Sequence, residues 1–125
     1  MATLGLEACT LHPRLEKDLL LTAAIVHDLG KTREFTYGAE LGLSDEGRLL
    51  GHVVLGQQLL EPRMLDLAPE KRLALLHCVL CHHGPDAAPG RRFGTAEALA
   101  LHRLNALDAA VKGAIEHGPA GPAGA

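Results

Sequence analysis

Residues 23–35, AAIVHDLGKTREF, constrain this chain more than any other stretch. An apolar run over residues 19–26 ends abruptly at His27 and Asp28, then breaks at Gly30 before Lys31. The run is too short to cross a bilayer, so it reads as the buried face of a helix. Two side chains able to bind a metal ion therefore stand at the end of a segment that is driven inside. Their polar groups need partners there, because an unpaired buried charge costs several kcal/mol or more.

Composition narrows the fold further. Hydrophobic residues make up 47% of the 125, yet there are only one Tyr, two Phe and no Trp. A core of Leu, Ala, Val and Ile suits packed helices better than a sheet, and the length suits one domain. The expected fold is all-α, a single-domain bundle of about five helices over residues 1–117, followed by a flexible Gly/Pro/Ala tail at 118–125. Net charge −3 and a pI of 6.2 argue against an extended surface for nucleic acid, but leave room for a local basic patch. Cys9, Cys78 and Cys81 leave an odd thiol count with no secretory leader, which makes a reduced, cytoplasmic protein without a membrane span the expectation. Eight His in so short a chain point to metal chemistry.

Spacing predicts helices over 1–11, 14–29, 46–60, 70–83 and 96–116. Gly30 reads as a left-handed residue closing the second helix. Ser44-Asp45 and Thr95 read as caps, and Pro69 as a first-turn residue. Residues 32–46 read as a loop, with a short β-turn around Tyr37 and Gly38. In the third helix Leu49, His52, Val53, Gly56 and Leu60 share a face. In the fifth, Leu101, Leu104, Asp108, Val111 and Ile115 form one stripe, with a carboxylate in its middle. His27, His52 and His82 hold similar places on three other helices. A single such His is usually a satisfied core residue, but four ligand-type residues on four buried faces point to one interior, as metal sites between helices do. The mixed nitrogen and oxygen donors suit Mn, Fe, Co, Ni or Zn, as one or two ions. Lys31 is placed to hold a phosphate oxygen, or simply to complement a helix C-terminus.

These residues carry a resemblance. HDLGK, followed by Gly51-His52, the HHG at His82–Gly84 and the NALD ending at Asp108, resembles the HD-domain phosphohydrolase superfamily over about residues 1–117. HDLGKTREF, DEGRLLGHVVLG, CHHG and TAEALALHRLNALDA look most like the HD domain of YhaM-type 3′→5′ exoribonucleases, in which an OB-type nucleic-acid-binding domain comes first. The resemblance implies a metal-dependent phosphohydrolase that uses metal-activated water on a phosphodiester or phosphomonoester of a nucleotide or single-stranded RNA. It implies His27, Asp28 and Asp108 as ligands of a first metal, and His52 with His82 or the adjacent His83 as ligands of a second. Asp28 and Lys31 would carry catalysis, with Lys31, Arg33, Arg48 and Arg91 or Arg92 on substrate phosphates.

Two departures from the family pattern stand out. The family's first His lies a helix earlier than any suitable His here, because His12 abuts Pro13. The OB domain is also missing. The expectation is therefore an HD domain lacking the start of its first helix, with exposed apolar surface near residues 19–25 that self-association would cover, and with an OB-type domain as partner.

Three further readings stay open. A degenerate HD domain would bind a nucleotide or partner without hydrolysis. A small 5′-nucleotidase-type phosphatase would act on mononucleotides. Cys78 and Cys81 beside His82 and His83 would form a zinc knot, against buried free thiols as the default. Phe93, beside Arg91 and Arg92, reads as a stacking platform for a base or as a loop anchor.

Overall fold

A computed structural model describes residues 1–37 and 41–118. Its element order is α1 (Ala2–Leu11), α2 (Lys17–Val26), α3 (Lys31–Glu34), β1 (Phe35–Tyr37), β2 (Leu41–Leu43), α4 (Asp45–Leu60), α5 (Pro69–Leu80) and α6 (Ala96–His117). Five long helices form the bundle that the aliphatic composition predicts. The one-turn α3 and the antiparallel pair β1–β2, with Thr36 opposite Gly42, occupy the stretch read as a loop. The expected turn at Tyr37 and Gly38 falls partly outside the described residues, as does residue 119 onward.

The apolar run that opens the problem becomes the central element. Helix α2 packs against α1, α5 and α6. Leu20 and Ala23 have no exposed surface, and they share a core with Leu75, Cys78, Val79, Cys81, Ala98 and Leu101. Burying each large side chain contributes about 1.5–3 kcal/mol. The caps form as expected: Ser44 Oγ accepts the Gly47 N–H at 2.9 Å, Thr95 Oγ1 accepts the Ala98 N–H at 3.1 Å, and Pro69 stands in the first turn of α5.

Several local expectations are corrected. Helix α2 ends at Val26 and α5 at Leu80, so His27, Asp28, His82 and His83 lie in the turns just beyond the helix ends. Tight bonds continue the chain there, Leu29 N–H to Val26 C=O at 3.0 Å and Lys31 N–H to Asp28 C=O at 3.0 Å. Gly30 is not left-handed. Among the described residues the positive-φ glycines are Gly51, Gly84 and Gly118. Gly30 is needed for close approach, since a Cβ there would collide with the His52 carbonyl and stand 2.5 Å from Gly56 N.

Helix α4 is broken at Gly51, whose φ of 76° and ψ of 166° are not helical. Residues before the break do not keep the phase of those after it, which is why Leu49 is exposed while Leu55 and Leu60 are buried. The stripe on α6 also fails in its second half. Leu101 is buried, but Val111 and Ile115 are 47% and 78% exposed, because the last turns of α6 run past the bundle.

Candidate metal centre

The bundle brings Asp28, His52, His82 and His83 together, one donor atom from each lying within 4.8 Å of the others. The turn after α2 supplies Asp28, the second half of α4 supplies His52, and the turn after α5 supplies His82 and His83. His52 Nε2 is 3.3 Å from His82 Nε2 and 2.9 Å from His83 Nε2. Asp28 Oδ1 stands 3.5 Å from His82 Nε2 and 3.8 Å from His52 Nε2.

Proton positions follow from the partners on the far side of each ring. A backbone carbonyl only accepts, so His82 Nδ1–H donates to Val79 C=O at 2.6 Å and His27 Nδ1–H donates to Ala24 C=O at 2.8 Å. His52 Nδ1 faces the Glu34 carboxylate at 3.2 Å and donates to it. In the neutral imidazole each Nε2 then carries a lone pair. Burial pushes His82 down to about 4, with His83 and His27 adding to the effect against the Val79 carbonyl, so the ring is neutral at pH 7. Burial and then His52 lower His83 in the same direction.

The result is a cluster of acceptors with few donors. His52 Nε2 and His82 Nε2 face one another and Asp28 Oδ1, and Oδ1 is buried with no hydrogen-bond partner. His27 Nε2 lies 3.1 Å from the other carboxylate oxygen, Asp28 Oδ2. Buried polar atoms are almost always paired, and converging lone pairs repel. A divalent cation answers both conditions, and imidazole with carboxylate is a donor set for first-row transition metals. The residues present fit such an ion.

The predicted site residues divide. His27 is buried beside the cluster, its ring 5.1 Å from that of His82. Both His82 and His83 reach the cluster, which answers the question of which imidazole faces it. Lys31 Nζ lies 3.7 Å from Asp28 Oδ2 with half of its side chain exposed, a cation at the mouth. Asp108 is not among the four converging residues. Its Oδ2 pairs with Lys112 Nζ at 3.0 Å on α6. On the same helix His102 Nδ1–H donates to His82 C=O at 3.0 Å, six residues before Asp108.

Three of the four predicted arginines pair with carboxylates. Arg33 makes two 2.8 Å bonds to Glu46, Arg48 lies 3.7 Å from Asp45, and Arg91 lies 3.5 Å from Asp86. Arg92 is exposed in the loop before α6. Phe93 packs on His102 at 5.5 Å and against the core, as a loop anchor does. Cys78 and Cys81 are free, buried thiols, with burial pushing Cys78 up to about 12.

Sequence reasoning missed Glu34. Its Oε2 accepts the His52 backbone N–H at 2.9 Å in addition to facing Nδ1. The signal was a charged residue in an otherwise apolar-to-loop transition, which spacing alone does not distinguish from a solvated surface group.

Among the described residues no helix is long and apolar enough to cross a membrane. The family model for the HD domain matches residues 1–112. The chain is 33% identical over 114 residues to the 3′-5′ exoribonuclease YhaM of Shouchella clausii, an alignment covering 89% of this chain and 36% of that protein. It is 34% identical over 112 residues to the 3′-5′ exoribonuclease YhaM of Bacillus subtilis, covering 87% and 36%. The chain thus spans about a third of the length of these curated relatives. No solved structure matches it. With the His27-Asp28 pair at a converging set of imidazoles and the family model matched over most of its length, the chain belongs to the HD-domain family.

Proposed function

We infer that this chain is a metal-dependent phosphohydrolase domain that acts on a phosphoester of a nucleotide or of single-stranded RNA. The observation that carries the reading is the set of unprotonated acceptors facing one another: Asp28 Oδ1, His52 Nε2 and His82 Nε2. Free lone pairs on such donor atoms are what a divalent ion requires of its ligands. Asp28, His52, His82 and His83 would hold the ion, with His27 on the far oxygen of Asp28. A transition-metal ion bound there supplies an activated water near neutral pH and stabilises negative charge on a phosphoryl group.

The chain's own residues do the rest. Asp28 directs its two oxygens apart, Oδ1 toward His52 and His82 and Oδ2 toward His27 and Lys31. Lys31, half exposed at the mouth, is the cation placed to receive a phosphate oxygen. The carbonyls of Ala24 and Val79 hold the rings of His27 and His82, so that neither turns on loading. The similarity to exoribonucleases named YhaM supports RNA as the polymer substrate.

The test is hydrolysis by the metal-stripped chain after reloading with Mn²⁺ or Co²⁺. Substrates are a generic phosphodiester, a single-stranded RNA oligomer and nucleoside monophosphates. Metal-dependent shortening of RNA from its 3′ end supports the exonuclease reading. Release of phosphate from monophosphates alone moves the assignment to a nucleotidase. Metal bound without turnover on any of the three moves it to a binding domain.

A further inference from the structure

The geometry points to Glu34 as the positioning residue for His52: one carboxylate oxygen both starts the second half of α4 and aims the His52 imidazole at the metal centre. This rests on the metal-centre reading above and extends it to a residue outside the converging cluster.

Gly51 interrupts α4 with φ 76°. The residue after such a break begins a fresh helical run, and its N–H has no partner one turn earlier. Here that residue is His52, and its N–H donates to Glu34 Oε2 at 2.9 Å, a carboxylate brought in from α3. The same oxygen lies 3.2 Å from His52 Nδ1. Donation there leaves the lone pair on Nε2, on the side facing His82, His83 and Asp28. An anion on the far nitrogen also raises the basicity of the near one, as carboxylates do behind metal-bound imidazoles.

Glu34 is not a loose surface acid. Its side chain is 13% exposed. Its carbonyl accepts the Ser44 N–H at 2.9 Å, and Ser44 Oγ–H donates to Arg33 C=O at 2.7 Å. Arg33 in turn is held by Glu46 of α4. Arg33, which sequence reasoning gave to substrate phosphate, thus pairs with Glu46 and anchors the segment that carries Glu34.

Titration of the metal-stripped chain with Co²⁺, read by visible absorption, tests the assignment alongside the melting temperature of the metal-free protein. Glu34→Gln retains an oxygen for the His52 N–H but loses the charge. It is expected to melt near the parent while binding Co²⁺ about 10- to 100-fold more weakly, with a shifted visible band. Glu34→Ala, lacking the cap as well, is expected to lose both affinity and melting temperature. A Gln variant with parental affinity and band would reduce Glu34 to a cap and overturn the assignment alone. A parent chain that binds no Co²⁺ would overturn the metal-centre reading and this assignment with it. If the Gln variant melts early, long-range proton–nitrogen correlation on the parent decides. A proton on His52 Nδ1 supports the assignment, and a proton on Nε2 overturns it.

Discussion

His52 Nε2 and His82 Nε2 lie 3.3 Å apart, each on a ring whose other nitrogen faces an oxygen acceptor. Val79 C=O accepts the hydrogen bond of His82 Nδ1–H and Glu34 that of His52 Nδ1–H, so both lone pairs point at the same space, where Asp28 Oδ1 also ends. Direct contact of three acceptors is repulsive. A cation among them converts the repulsion into coordination, and the following outcomes depend on that relationship.

Asp28→Asn should separate function from stability. The amide presents a donor to lone pairs that the carboxylate opposes, so the metal-free variant is expected to be more stable by about 1 kcal/mol. Its metal affinity should drop at least tenfold with the loss of charge. Denaturant melts of the metal-free protein and calorimetric metal titration measure the two halves.

Metal-free stability should decline in acid. The folded His82 is held at about 4, below its ordinary 6.5. The unfolded chain therefore takes up that proton first as pH falls. The contribution is complete above 6.5 and is lost as pH drops from 6.5 through 4, amounting to a few kcal/mol at about 1.4 per unit. Denaturation midpoints between pH 7 and 4 should show the slope, and His82→Gln should flatten it. Metal affinity should weaken in the same direction, since protons compete for the ligands.

Two adjacent imidazoles should behave differently on truncation. His82 is fully buried, so His82→Ala leaves a hole in the core and should cost both metal and about 2 kcal/mol or more of stability. His83 is exposed, so His83→Ala should weaken metal binding while leaving the metal-free melting temperature within a few degrees. Metal titrations and thermal melts on both variants check the contrast.

Gly30→Ala should disturb the centre without touching a ligand. Its Cβ would meet the His52 carbonyl, so the turn bearing Asp28 must move off α4. A loss of about 1–3 kcal/mol is expected, with weaker metal binding, both measurable on the purified variant.

Lys31 and Arg33 should not be equivalent. Lys31→Ala is expected to raise KM for a phosphoester several-fold, as its ammonium stands at the mouth. Arg33→Ala, removing an exposed pair with Glu46, should cost about 1 kcal/mol or less of stability. Phosphate release assays and denaturant melts distinguish the two.

Much of this was legible in the residues. The scarcity of aromatics led to a helical bundle, and Ser44, Pro69 and Thr95 marked three helix starts because caps are local chemistry. His27, Asp28, His52, His82 and His83 were legible as polar residues at the ends or on the faces of apolar runs. The far half of the α6 stripe was misread for the converse reason: periodicity continues past the point where neighbours end, so Val111 and Ile115 match the stripe yet face solvent. The phase break at Gly51 hid behind an apparently continuous stripe, because helical spacing does not reveal one left-handed residue. Glu34 was invisible because its partner, His52, lies 18 residues away and only the fold brings them together.

The most direct measurement is calorimetric titration of Mn²⁺ or Co²⁺ into the metal-stripped parent and into His52→Ala and His82→Ala variants that remain folded. Binding of at least one ion per parent chain, weakened at least tenfold in each variant, is the expected result. A parent that binds no ion, or variants that bind as tightly as the parent, would contradict a metal centre built on Asp28, His52, His82 and His83.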